Sequence, residues 1–276
     1  MNAMTADEIR QGLADLKPAV QWAHHFDLGD GIETVSPEAG NFYRKAIGLK
    51  EFGDLFPSVL RGYAGRTSFA GMRCLDLGAA EGMHSIAMAE NGAKEVLGLD
   101  GRQLYVDRAR FIAKAKGLDN VRFETADVRT LDTAKLGQFD FVLCSGLLHH
   151  LNEEVFLDFT RDLYDLTGDT LLLYTHVSTE FAIQRFGLKP TPPAGGKYAG
   201  YLFREHKDES TEAQRIAQVR ASLDNVHSFW ATEDALVRRF IDVGFKSIAK
   251  LYEPAFQKTD IERIFRGIWI LRRNAP

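Results

Sequence analysis

An α/β fold built on a seven-stranded, mostly parallel sheet with helices on both faces is what this chain's pattern predicts. Over residues 72–175 short apolar runs alternate with helix-compatible stretches, as parallel strands joined by crossover helices require. Two of those runs end in acids, Asp76 and Asp100, 24 positions apart with a full helix between them. That spacing fits one βαβ unit with both carboxylates at the same sheet edge. Past Trp230, a helix-like stretch and two further apolar runs supply strands that pair antiparallel, so one strand of the sheet runs against the rest.

Thr5, with Glu8 three positions on and apolar Ile9, Leu13 and Leu16 behind it, predicts a capped helix over 5–17 that Pro18 ends. Residues 22–40 hold the adjacent His24 and His25 and the turn Gly29-Asp30-Gly31, and read as an ordered loop or short hairpin. Helix-like stretches follow at 41–48 and 51–65. Residues 1–70 are therefore expected to form a helical extension that caps the substrate, and 71–276 the main domain. In that domain MRCLDL, EVLGLD, VRFETAD, FDFVLCSG and TLLLYTH read as strands, and helices end at Asn91, span YVDRARFIAKAKGL and start near Glu153. The rhythm breaks at about 176–230, where the Pro/Gly-rich KPTPPAGGKYAGY and the helix-like STEAQRIAQVRASL suggest an inserted lid. TEDALVRRFIDVGF is a helix closing at Gly244, and FKSIAKLYEP and RGIWILRR are the last two strands.

The chain has 276 residues, 45% of them hydrophobic, enough to bury one large core with additions. A net charge of −4 provides no whole-chain positive field for nucleic acid. Cys74 and Cys144 both lie in apolar strand runs, which favours buried thiols over a disulfide framework or a zinc site. No run approaches the ~18 apolar residues of a membrane span, and the N-terminal stretch is acidic, so a cytoplasmic location without membrane partners is expected.

The organising stretch is LDLGAAEGMHS, residues 75–85, an apolar strand breaking into a glycine turn and then a helix. With Asp100, Asp127 and FDFVLCSGLLHHL downstream, it resembles the class I methyltransferase family that uses S-adenosyl-L-methionine and releases S-adenosyl-L-homocysteine (SAH). The resemblance covers about residues 70–175 and extends more loosely to the C-terminus. The family's turn, D/E-x-G-x-G-x-G, is matched by Asp76, Gly78, Ala80 and Gly82, with alanine at the middle glycine. The resemblance implies a Rossmann-like fold and places the methionine end of the cofactor on this turn, with Asp76 near its ammonium. It implies that Asp100, with Gly101 beside it, meets the ribose hydroxyls, that Asp127 meets the adenine amino group with Val128 beside the ring, and that Ser145 meets the methionine end. A dinucleotide site fits less well, since G-x-G-x-x-G would need glycines at Ala80 and Met83, and Asp76 would repel a pyrophosphate.

His149 and His150 follow the fourth strand and are the candidate proton acceptors, since a neutral imidazole has a suitable basicity. In an extended segment the two would face opposite ways. Transfer from a sulfonium expels a neutral thioether, so positioning and desolvation can dominate without any base. Trp22, His24, His25, His176, Tyr198, Tyr201 and Arg204 are secondary candidates for a substrate pocket, and no metal is expected because spacing provides no further ligands for the histidine pairs. Lys189, Lys197, Arg204 and Lys207 are interleaved with aromatics in the insertion, a pattern that also suits an anionic or RNA substrate.

WAHHFDLGDGIET is similar to the segment preceding the core in the wobble-uridine tRNA carboxymethyltransferases. That family carries a tyrosine where this chain has His149, and the tyrosine reads a carboxylated cofactor, so ordinary S-adenosylmethionine is expected here. The leading expectation is methyl transfer to an O or N nucleophile of a small molecule, in secondary metabolism. The alternatives are a tRNA wobble-uridine modifier and a non-catalytic cofactor-binding partner subunit.

Overall fold

Thr5 closes the first helix reciprocally: its Oγ1 accepts the Glu8 N–H at 3.3 Å while Glu8 Oε2 accepts the Thr5 N–H at 2.7 Å. This helix, α1, spans Ala6–Asp15. The computed structural model describes residues 4–16, 22–40, 66, 68–218, 221–252 and 264–274. Pro18 and the helix-like stretches at 41–48 and 51–65 lie outside the described residues. The chain divides into two compact units, Met1–Ala126 and Asp127–Pro276. Among the described residues no helix is long and apolar enough to cross a membrane.

In the first unit, residues 22–40 form the expected ordered loop, with an antiparallel bridge between Asp27 and Glu33. Its turn residues Gly29, Asp30 and Gly31 are all left-handed, with φ of 81, 50 and 69°. Then come β1 (Arg73–Leu77), α2 (Met83–Glu90), β2 (Glu95–Asp100), α3 (Gln103–Ala115) and β3 (Val121–Thr125). β1 and β3 both pair in parallel with β2. Helix α3 buries Val106, Ala109, Ile112 and Ala113, a helical spacing that turns one apolar stripe inward. Those residues share a core with Ala79, Met83, Ile86 and Phe123, and with Trp22, Phe26 and Val35 of the N-terminal loop.

The second unit contains α4 (Thr133–Leu136), β4 (Phe139–Ser145), α5 (Glu153–Leu166), β5 (Thr167–His176), α6 (Glu180–Phe186), β6 (Lys189–Pro190), β7 (Gly200–Arg204), α7 (Glu212–Ala217), β8 (His227–Ala231), α8 (Glu233–Val243), β9 (Ser247–Leu251) and β10 (Arg266–Arg272). β4 pairs in parallel with β5, and β10 runs antiparallel to both β5 and β9. The main sheet has seven strands in the order β3-β2-β1-β4-β5-β10-β9, the expected fold class. Apolar residues of α5, among them Phe156, Phe159, Leu163 and Leu166, are buried, each contributing roughly 1.5–3 kcal/mol.

The insertion differs from its sequence reading. β6, β7 and β8 make a separate three-stranded antiparallel sheet where a loop and a long helix are expected. Tyr201 opposes Trp230 and Leu202 opposes Phe229, pairs that fit a half-buried pleated surface. The expected helix over 210–223 shrinks to α7 because it has no buried residue to hold a longer one.

Candidate functional site

The turn after β1 needs left-handed backbone at three alternate positions: Gly78, Ala80 and Gly82 have φ of 76, 47 and 83°. At Gly82 the space is also closed, since an added Cβ would lie 2.6 Å from the Phe123 ring and 2.9 Å from Ala109. Ala80 carries the conformation as a non-glycine residue, which costs about 1–2 kcal/mol. The turn is tied to the end of β2, where the N–H groups of Gly78 and Ala79 both donate to the Leu99 carbonyl at 2.9 Å. Asp100 holds both sides, accepting the Ala80 N–H on Oδ2 at 2.9 Å and the Arg102 N–H on Oδ1 at 2.8 Å. Gly101 is the exposed bend between them.

Asp76 is buried and accepts the Ser85 hydroxyl at 2.6 Å. Burial pushes its pKa up to about 7, the Ser85 bond opposes the rise, and the charge of Asp100 adds to it. Asp100 is itself raised by burial, against the pull of its two backbone donors. Two under-neutralised carboxylates beside a glycine turn favour a cationic ligand over an anionic one. A ligand with an ammonium and a sulfonium fits this donor set. The missing side chain of Gly82 makes room for Phe123 and Ala109, so close backbone approach by a ligand falls to the turn at Gly78.

Glu81 is the residue that sequence reasoning missed. Its side chain is fully buried and accepts the N–H groups of Ala23 (3.0 Å) and His24 (2.8 Å), the His24 imidazole Nδ1 (2.9 Å) and the Arg108 guanidinium. Burial pushes its pKa up, but the His24 bond and charge, the Arg108 charge and the Ala23 N–H outweigh that and hold it below its usual value. Arg108 also lies over the Trp22 ring, 4.6 Å from its centroid. The glycine turn and the N-terminal loop are thus one hydrogen-bonded body. The available signal was an acid inside a glycine turn with an arginine on α3, the second helix after it.

In the second unit, Asp127 Oδ1 accepts the Arg129 N–H at 2.9 Å, capping a 3₁₀ turn at Val128–Thr130. Arg129 grips the same carboxylate and bridges to Asp224 at 2.8 and 3.0 Å. Burial pushes Asp127 up, but Arg129 more than offsets it and holds the group below its usual value. Val128 is buried and Ser145 ends β4 half-buried.

His149 and His150 lie in a 3₁₀ turn, Leu148–His150, and their rings are neighbours with centroids 4.4 Å apart. This corrects the expectation of opposite faces, because the chain leaves β4 by a tight helical turn. His149 stacks on His176 at 3.8 Å and meets the edge of Trp230, whose indole N–H donates to the His149 carbonyl at 3.0 Å. Burial, with the neighbouring His176, His150 and Arg266 charges, keeps His149 well below its usual pKa, and burial takes His176 down to about 3. Among the secondary candidates, the Tyr198 hydroxyl and Lys197 bond Asp242, and Arg204 bonds Asp208. His25 lies 3.4 Å from Glu33.

A family model described as a methyltransferase domain matches residues 68–158. A ubiquinone biosynthesis O-methyltransferase of Neisseria meningitidis (serogroup A) is 28% identical over 128 residues, 46% of this chain and 53% of that protein. One of Bordetella avium is 36% identical over 87 residues, 30% of this chain and 34% of that protein. The chain thus spans about half the length, or less, of these curated relatives. The N-terminal domain of EvdMO1 with SAH bound is similar throughout, at 27% identity and a TM-score of 0.70 over 99% of this chain and 98% of that one. Synechocystis magnesium protoporphyrin IX methyltransferase with bound SAH shares the fold, at 20% identity and a TM-score of 0.54 over 89% of this chain and 90% of that one. Turn, acidic strand ends, sheet order and these likenesses agree in pointing to a class I, S-adenosylmethionine-dependent methyltransferase, with the methyltransferase domain itself matched over residues 68–158.

Proposed function

We propose that this chain methylates an oxygen or nitrogen nucleophile of a small molecule, in secondary metabolism, with a hydroxyl as the preferred acceptor. The observation that carries this reading is the Asp100 latch on the glycine turn, in a chain matched end to end by an SAH-bound domain. Oxygen is preferred because the curated relatives are named O-methyltransferases and the EvdMO1 domain was also crystallised in the presence of SAH and D-fucose. Lys197 and Arg204 of the insertion are paired with carboxylates, which favours a small molecule over tRNA.

When bound, S-adenosylmethionine supplies an electrophilic methyl on a sulfonium. In this reading Gly78, Ala80 and Gly82 hold its methionine end with Asp76 and Ser145, Asp100 and Gly101 hold the ribose, and Asp127 and Val128 hold the adenine. His149 and His150 are the candidate proton handlers. Titration calorimetry with SAH tests the cofactor site. Asp100→Ala should weaken SAH by about 10- to 100-fold, the worth of one or two charge-assisted hydrogen bonds. Methyl transfer from labelled cofactor to a panel of deoxyhexoses (D-fucose included), catechols and primary amines tests the acceptor class. Transfer to tRNA and to none of these would overturn it.

A further inference from the structure

Glu205, which follows β7, has a buried side chain. Its Oε1 lies 2.7 Å from His150 Nδ1 and accepts the Ser228 hydroxyl at 2.8 Å, while its Oε2 accepts the Ser222 N–H at 3.2 Å. With a hydroxyl and a backbone N–H already donating to it, Glu205 is placed as an acceptor, and since an imidazole is the more basic partner of a carboxyl group, the shared hydrogen belongs on His150 Nδ1. The neutral His150 ring then has its lone pair on Nε2, which has no hydrogen-bond partner among the described residues, and the side chain is 25% exposed. His149 is fixed in the opposite sense. Its Nδ1 accepts the His176 backbone N–H at 3.3 Å, so the hydrogen of the neutral ring is on Nε2.

We propose that His150 is the proton acceptor for a hydroxyl substrate and that Glu205 is the positioning residue that fixes its tautomer and steadies its charged form. His149 then serves as a neutral stacking partner whose Nε2–H can only donate. This rests on the methyl-transfer reading and gives the two histidines different roles. As the acceptor oxygen forms its bond to the methyl carbon, its O–H bond breaks and the proton passes to His150 Nε2. The carbon–sulfur electron pair stays on sulfur as a neutral thioether, and the sulfonium's positive charge is replaced by the imidazolium's beside Glu205. The insertion thereby contributes to the chemistry: Trp230 and Phe229 of β8 bond the carbonyls of His149 and Leu151, fixing the turn, and Glu205 sets the proton.

The test uses the full chain labelled with ¹⁵N-histidine, with and without SAH, observed by long-range proton–nitrogen NMR. The expected spectrum has hydrogen on Nδ1 of His150 and on Nε2 of His149. In Glu205→Gln the neutral His150 ring, no longer facing a carboxylate, should populate both tautomers rather than hold its hydrogen on Nδ1 alone. With an acceptor from the hydroxyl panel, His150→Gln should lower kcat by about 10²- to 10⁴-fold and leave SAH affinity unchanged. Glu205→Gln should lower kcat with cofactor affinity unchanged, and Glu205→Asp should restore both the Nδ1–H tautomer of His150 and most of the rate. Hydrogen on Nε2 of His150 in the wild type, an unchanged tautomer in Glu205→Gln, or wild-type turnover by His150→Gln would each overturn the proposal. Failure of SAH to bind overturns the methyl-transfer reading instead, and the tautomers remain readable without it.

Discussion

Glu81 in the first unit and Glu205 in the second are both buried carboxylates bonded to a histidine Nδ1, at 2.9 and 2.7 Å. Glu81 is also bound by the Arg108 guanidinium and two consecutive backbone N–H groups, so its charge is fully matched whatever His24 does. Glu205 has a serine hydroxyl, one backbone N–H and His150, and His150 is the one partner there able to bring a charge. The same pair chemistry thus makes a latch where a permanent cation is present and a tunable proton site where it is absent.

Removing each carboxylate separates these roles. Glu81→Ala removes the carboxylate that the buried Arg108 guanidinium meets and should cost about 3–5 kcal/mol in urea unfolding. Glu205→Ala should cost less, about 1–3 kcal/mol, because it strands neutral donors only. Equal losses would erase the distinction.

The pH dependence sharpens it further. His84 and His176, each held near 3 mainly by burial, and His149, held well below its usual value, fold as neutral rings. Each is protonated more readily when unfolded, so stability should fall below about pH 6.5 by up to roughly 1.4 kcal/mol per pH unit per histidine. Asp76 acts in the other direction. With its pKa raised from 3.8 to about 7, the folded state holds a proton that the unfolded state has released, and stability falls as pH rises through that window. Unfolding free energies from pH 5 to 8 should therefore decline less steeply toward acid in wild type than in Asp76→Asn. Parallel curves would contradict the raised pKa.

The smallest effect lies in the turn next to Glu81. Ala80→Gly relieves a left-handed alanine but frees the unfolded chain, so a gain of up to about 1 kcal/mol is expected in thermal unfolding.

The main sheet was legible because each strand is a separate apolar run and each crossover helix carries its own stripe, both local patterns. The acids at the ends of β1 and β2 were legible for the same reason, and the structure joins Asp100 to the turn as their spacing requires. Glu81 was not, since its partners Ala23 and His24 lie 58 and 57 positions away. The sheet of β6, β7 and β8 was hidden by its proline- and glycine-rich opening, although GYLFR and HSFWA have strand composition. The relation of His149 to His150 depended on one 3₁₀ turn, and the partner that distinguishes them, Glu205, lies 55 positions from His150.

The most direct measurement of the central claim is titration calorimetry of the intact chain with SAH at pH 7, repeated with Asp100→Ala. The account predicts one saturable site per chain in the wild type, weakened by about 10- to 100-fold in the variant. A folded wild-type protein that shows no binding, or a variant that binds equally well, would contradict it.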